Sequence, residues 1–307
     1  MASVQSLGVA SCVGGPMRQC GMAAAMLRAE FARLKQGRLP IQWRMLYPER
    51  RGSKEESLAK LNKAISQYTE NWTLGNRPFL VVGGDHSCAL GTWAGVMNGL
   101  RQPDKFGLIW LDAHMDAHTF ATSPSGNVHG MPVAALLGKA AMHPSSRAIK
   151  PENLILIGVR SYEQEEYGLL KQAGVDIVFA DQISELAPVL LQAIDTLSLS
   201  CESIGISIDL DVIDPADAPG VETPAKGGIK ARDLLSALAL LNRYPKVCGL
   251  EICEFTPEND INNKTLHLMK AIVEAFYGGP ECLVAHSKPN KFLGSLISGI
   301  KGSSIPS

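Results

Sequence analysis

Short apolar runs alternate with longer amphipathic stretches along most of the chain. Runs at Ser6–Cys12, Ile41–Leu46, Pro78–Val82, Phe106–Leu111, Leu154–Val159, Val175–Phe179, Ile204–Ile208 and Val247–Ile252 have the length and composition of strands covered on both faces. Between most of them apolar residues return at spacings of three and four, which predicts helices at Met22–Leu34, Lys54–Tyr68, Glu163–Ala173, Leu186–Leu197, Ala231–Leu241 and Lys264–Phe276. In Lys54–Tyr68 the stripe is Leu58, Leu61 and Ile65, and the charged remainder marks a surface helix. Repeated β–α alternation predicts a mostly parallel sheet with helices packed on it.

The polar residues share a position within this pattern. Gly83–Ser87 follows the third run, Asp112 and its neighbours the fourth, Arg160–Glu166 the fifth, Asp209–Asp214 the seventh and Glu251–Glu254 the eighth. All fall at C-terminal strand ends, where open α/β sheets place a ligand crevice. The densest group is Asp112, His114 and Asp116, at every second position, with His118 continuing the series. In an extended segment such residues project to one side. A single Asp or His there would be a helix cap, but three together need a compensating cation, because close like charges otherwise force protonation. Asp209-Leu210-Asp211, closed by Asp214-Pro215, repeats the spacing; alone it fits a solvated turn as well as a ligand set. With His86 these segments offer four carboxylates and two imidazoles: Asp112, Asp116, Asp209, Asp211, His86 and His114. That oxygen-rich set exceeds what one tetrahedral zinc takes and suits two divalent ions of higher coordination, with Mn²⁺ the best match.

Composition narrows the partners. A chain of 307 residues that is 46% hydrophobic supports one large core and one domain spanning 1–307. A net charge of −1 and only 19% charged residues leave no basic face for nucleic acid, so a small molecule is the expected partner. The seven cysteines are scattered and never spaced C-x-x-C, which argues against a disulfide framework or zinc knuckle and suits a reducing cytoplasm. Residues 1–14 lack the form of an export signal, and no apolar run reaches membrane-spanning length. The stretch Gly278–Ser307, rich in Gly, Ser, Pro and Lys, is compatible with an edge element, an oligomer contact or disorder. His143, His267 and His286 stand outside the motifs and are read as structural or solvent-facing. No dinucleotide fingerprint or phosphate loop follows any strand, and Ser87 and Ser125 lack a nucleophile-elbow context.

G-G-D-H-S at 83–87, D-A-H-M-D at 112–116, S-G-N-V-H-G-M-P at 125–132, S-I-D-L-D-x-x-D-P at 207–215 and Glu254 after an apolar strand resemble the ureohydrolase superfamily of arginases, agmatinases and formimidoylglutamases. The extended form T-S-P-S-G-N-V-H-G-M-P is most similar to bacterial arginases. The resemblance implies a three-layer α/β/α sandwich with a mostly parallel eight-stranded sheet, assembled as a homotrimer or homohexamer. It implies one Mn²⁺ held by His86, Asp112, Asp116 and Asp209, and a second by His114, Asp112, Asp209 and Asp211, with Asp112 and Asp209 bridging. The implied reaction is hydrolysis of a guanidino substrate, L-arginine to L-ornithine and urea, by a metal-bridging hydroxide hydrogen-bonded to Asp116.

In that scheme His129 shuttles a proton and Glu254 pairs with the guanidinium. Ser125, Asn127, His118, Glu163, Glu166 and Thr223 are the candidate substrate-binding residues. Two positions depart from the arginase pattern: His118 stands where arginases have Asn, and Arg160–Glu166 replaces an Asp-containing segment. Both bear on substrate identity, so agmatine, a guanidino acid and formimidoylglutamate remain alternative substrates, and a silent metal-binding scaffold is the alternative of a different class.

Overall fold

A computed structural model describes residues 3–16, 19–33, 39–49, 52–142, 145 and 147–278. Its strands are β1 (Val4–Val9), β2 (Ile41–Leu46), β3 (Phe79–Val82), β4 (Phe106–Leu111), β5 (Leu154–Val159), β6 (Asp176–Phe179), β7 (Ser203–Asp209) and β8 (Val247–Cys253). They form one eight-stranded sheet in the order β2-β1-β3-β8-β7-β4-β5-β6, and every pairing is parallel. The helices are α1 (Ala23–Arg33), α2 (Lys54–Leu74), α3 (Ala89–Gly99), α4 (Pro132–Leu136), α5 (Gln164–Ala173), α6 (Leu186–Ser200), α7 (Ala231–Leu238) and α8 (Lys264–Gly278).

Strand periodicity distributes the core over two faces. Leu80, Val82, Ile109, Leu111, Ile206, Ile208, Leu250 and Ile252 pack toward α1, α6, α7 and α8. Phe79, Val81, Leu108, Trp110, Leu154 and Leu156 pack toward α2, α3, α4 and α5. This is the three-layer α/β/α sandwich that the resemblance implies. On the second face β7 and β8 carry Ser207 and Glu251, both buried, where an apolar side chain would be usual. Their place under the site explains the exception.

Most strand bounds agree with the apolar runs to within a residue or two, except that β1 begins and ends earlier than Ser6–Cys12. Val4 and Gln5 fall outside the sequence run, but Gln5, like Ser6, is buried between β2 and β3. Helix α3 has no helical stripe to reveal it, because nearly every residue in it is buried. Its glycines at 91, 95 and 99 read as breakers, yet a Cβ at any of them would run into the α2 backbone at Asn62, Ser66 or Glu70. They permit close helix packing. Cys12 and Cys20 are joined in a disulfide, a single local pair that the scattered spacing did not mark: a loop, not a sequence motif, brings the two together. Cys88, Cys201, Cys248 and Cys253 are free. Among the described residues no helix is long and apolar enough to cross a membrane. His267 lies 3.7 Å from Glu30 and is half-exposed, whereas His143, His286 and residues 279–307 lie outside the described residues.

Candidate metal centre and substrate cavity

The loops after β3, β4, β7 and β8 meet at the C-terminal edge of the sheet. Asp85 fixes the first of them by accepting the Ser87 N–H at 3.0 Å and the Gly14 N–H at 3.0 Å. His86 is thereby held in a short 3-10 turn, fully buried. Glu254 enters from β8 and accepts the His86 backbone N–H at 2.7 Å, while its own N–H donates to Gly84 at 2.8 Å.

The Asp112 segment does not continue as a strand. β4 ends at Leu111, just before Asp112, and Asp116 turns the chain with a left-handed φ of 48°. A non-glycine residue there costs roughly 1–3 kcal/mol, and such strain collects at functional sites. Glu254, at φ 67°, carries the same strain. The common face expected from period two is therefore replaced by divergence: Asp112 and Asp116 turn to His86, His114 to Asp211, and His118 to Glu163 and Glu166.

Two adjoining clusters result. His86 Nδ1 is buried without a hydrogen-bond partner, 3.4 Å from Asp112 Oδ2, 3.3 Å from Asp116 Oδ2 and 3.3 Å from Asp209 Oδ2. His114 Nδ1 lies 2.9 Å from Asp211 Oδ2 and 3.6 Å from Asp112 Oδ1. The two oxygens of Asp112 thus face the two imidazoles. Each cluster offers ligand atoms close enough for one ion.

Electrostatics favour cations here. Burial opposes charge on His86, but hydrogen bonds with Asp112, Asp116 and Asp209 outweigh it and raise its pKa well above the usual range. Burial likewise opposes charge on His114, yet Asp211 and Asp112 push it up to about 12. Burial and Asp112 raise Asp116 to about 6, and burial with Asp211 and Asp112 raises Asp209 well above a normal carboxylate. Four acids against two imidazoles leave excess negative charge in a low-dielectric pocket, the condition that bound divalent ions relieve.

Sequence reasoning placed Glu251 and Arg160 among polar strand-end residues without a role, and missed Ser207, Trp93 and Trp110 as supports. Trp110 donates its indole N–H to Asp112 Oδ2 at 2.9 Å, and its ring stacks on His86 at 4.0 Å. Ser207 donates to Glu251 Oε2 at 2.8 Å and lies 2.9 Å from His86 Nε2. A hydroxyl has one proton, and Ser207 gives it to Glu251, so His86 Nε2 donates, and in the neutral, ligating ring its Nδ1 is the lone pair facing the acids. Glu251 also accepts from Trp93 Nε1 at 3.0 Å and Thr92 Oγ1 at 2.5 Å. Its sequence signal is a charge inside an apolar strand. Arg160 donates to the carbonyls of Gly158, Asp211, Val212, Ala225 and Lys226, which binds the Asp211–Lys226 loop to β5.

A cavity of about 330 Å³ opens over the clusters. His129 and Glu254 line it, with His129 Nδ1 3.3 Å from Glu254 Oε1. Ser125, Asn127, His118, Glu163, Glu166 and Thr223 also line it, so the structure gathers every predicted site residue here except buried His86 and Asp112. Thr223 donates to Asp211 Oδ2 at 3.2 Å. Ser125 Oγ accepts the Asn127 N–H at 3.2 Å. Glu166 accepts the N–H groups of Ala117 at 3.0 Å and Glu163 at 3.1 Å, the latter closing a capping box at the start of α5. Burial and the hydrogen bond with Glu163 push Glu166 up to about 8. His118 Nε2 sits 3.2 Å from Glu163 Oε2 and 3.5 Å from Glu166 Oε2.

An eight-stranded parallel α/β/α sandwich with two adjoining carboxylate–imidazole clusters at its strand ends fits a metal-dependent amidinohydrolase. The Arginase family profile matches residues 14–278, and the chain belongs to that family. It is 35% identical to the arginase of Bacillus caldovelox over 274 residues, which covers 85% of this chain and 90% of that protein. It is 37% identical to the Bacillus subtilis arginase over 237 residues, 73% of this chain and 79% of that one. The crystal structure of arginase from Bacillus subtilis superposes with a TM-score of 0.82 at 32% identity, covering 90% of this chain and 98% of its own. The chain is accordingly a hydrolase of amidine-type substrates with two candidate metal clusters.

Proposed function

We propose that this protein is a dimanganese arginase that hydrolyses L-arginine to L-ornithine and urea. The observation that carries the metal part is the orphaned, buried Nδ1 of His86 facing three carboxylate oxygens. His86, Asp112, Asp116 and Asp209 would hold one ion and His114, Asp112, Asp209 and Asp211 the other. The donor set is four carboxylates and two imidazoles, which suits Mn²⁺. When bound, such ions supply a water acidic enough to attack an amidine carbon near neutral pH.

The protein's own groups do the rest. Glu254 aligns the guanidinium through paired N–H···O bonds to its unpartnered Oε2. Asp116, buried at the clusters, accepts the proton of the attacking water, and His129 protonates the leaving amine. Ser125 and Asn127 offer donors to an α-carboxylate, and Glu163 an acceptor to an α-ammonium. Thr223 acts on the reaction by holding Asp211.

One observation favours a second reading. Glu163 already faces His118, an arrangement that also suits a guanidino acid without an α-ammonium. Turnover of arginine, agmatine, 4-guanidinobutyrate and formimidoylglutamate after Mn²⁺ loading separates the readings. Arginine is expected to exceed agmatine by roughly a hundredfold in kcat/KM, since groups built for both ends of the substrate go unpaired when one end is missing. Glu163→Gln should erode that ratio; equal turnover of arginine and agmatine by the native protein sinks the arginine assignment.

The Glu251–Ser207–His86 chain gives a further expected result. Ser207→Ala removes the acceptor that keeps His86 Nδ1 a lone pair, and such losses weaken metal affinity by roughly ten- to a hundredfold. Calorimetric Mn²⁺ titration should show one weakened site and one intact. Two unchanged sites would remove His86 from the ligand set.

A further inference from the structure

Glu222 has no part in the reading above, yet it lies against the residue on which the proton chemistry turns. Val221 bridges Phe255 in an antiparallel pair, which brings Glu222 next to Glu254 beside the His129 loop. A His129 ring nitrogen and one oxygen from each glutamate lie within 4.8 Å of one another. Glu254 is engaged with the His86 backbone and with His129. Glu222 Oε2, in contrast, is buried without a hydrogen-bond partner. Gly15 packs over both, since a Cβ there would lie 3.7 Å from this oxygen and 3.8 Å from the His129 ring, at ordinary contact. The residue as a whole stays partly exposed and does not line the substrate cavity. It therefore adjoins His129 from outside the cavity lining while the residue as a whole keeps some exposure to bulk water.

We propose that Glu222 relays protons between bulk water and His129 during amidine hydrolysis, an inference that rests on the functional reading above. As the C–N bond of the tetrahedral intermediate breaks, His129 gives a proton to the leaving amine nitrogen and its ring becomes neutral. The protonated Glu222 carboxyl returns a proton to the ring, a span that one water bridges, and recovers its own from solvent. The count closes because the proton that Asp116 accepts from the attacking water is released to solvent before the next turnover. The charged groups facing Glu222 are Glu254, His129 and Asp85. Burial and Glu254 push Glu222 up to about 7, so the acid exchanges readily at neutral pH.

Glu222→Gln keeps the size of the side chain and removes the acid. With metal content and thermal midpoint unchanged, kcat should fall at least about tenfold in dilute buffer while KM holds. Concentrated imidazole buffer should restore it, and Glu222→Asp should need less buffer; a merely structural role responds to neither. An unchanged kcat, a loss that buffer leaves in place, or an effect confined to KM overturns the relay. A second measurement needs no substrate: acylation of His129 by diethyl pyrocarbonate, followed by peptide mass spectrometry across pH. Loss of the Glu222 charge should lower the midpoint of that profile by about one unit. An unmoved midpoint overturns the proposal. Wild-type protein that hydrolyses no amidine overturns the functional reading instead, and the acylation profile still judges the contact.

Discussion

Asp112→Ala is expected to leave the protein without either metal ion and to lower turnover by about two to three orders of magnitude. Its two oxygens face different imidazoles, His86 at 3.4 Å and His114 at 3.6 Å, so one substitution strikes both clusters. It also removes the acceptor of the Trp110 indole N–H and of the His114 backbone N–H. Bound divalent ions contribute several kcal/mol of charge stabilisation, and each 1.36 kcal/mol is a factor of ten. His86→Ala should mainly weaken one site, because His114 and Asp211 keep their own contact. Elemental analysis after gel filtration decides: two metals per chain retained in Asp112→Ala would sink the bridging assignment. Asp112→Asn, which keeps volume and the indole hydrogen bond, separates loss of metal from loss of fold.

Much of the architecture was legible because parallel strands buried on both faces read as plain apolar runs. What stayed hidden follows from the same physics. Helix α3 is buried on all sides, so it has no stripe, and its glycines serve packing against α2 rather than a turn. The Asp112–Asp116 spacing pointed to a cation through the wrong geometry. Residues at period two converge only in an extended segment, and the left-handed Asp116 bends this one. The divergence is what allows two adjoining clusters instead of one row.

Long-range supports were the least legible. Ser207, Glu251 and Trp93 come from β7, β8 and α3, and only the sheet order makes neighbours of them. Glu222 illustrates the same limit. Nothing in its neighbours along the chain marks it, and its closeness to His129 arises from the bridge between Val221 and Phe255. Charge inside an apolar strand, as at Glu251, is the one signal of this kind that a sequence displays on its own.

His129→Asn is expected to lower kcat by about a hundredfold or more with metal content intact, since a positioned general acid contributes roughly 10²–10⁴. His129 Nδ1 faces Glu254 rather than either metal cluster, so its loss should cost no manganese. Burial disfavours a charged ring, but the hydrogen bond with Glu254 outweighs it and raises His129 to about 9. An acid must be protonated to donate, so its contribution is full below that value and lost as pH rises through it. Two divalent cations nearby oppose a positive ring and draw the value down toward neutrality. Wild-type kcat should therefore rise as the attacking water ionises and then stop rising on the alkaline side, at or below pH of about 9. In His129→Asn the residual rate should keep rising through that range. A variant that loses manganese would make His129 a ligand, and one whose alkaline limb matches the wild type would remove it from proton transfer altogether.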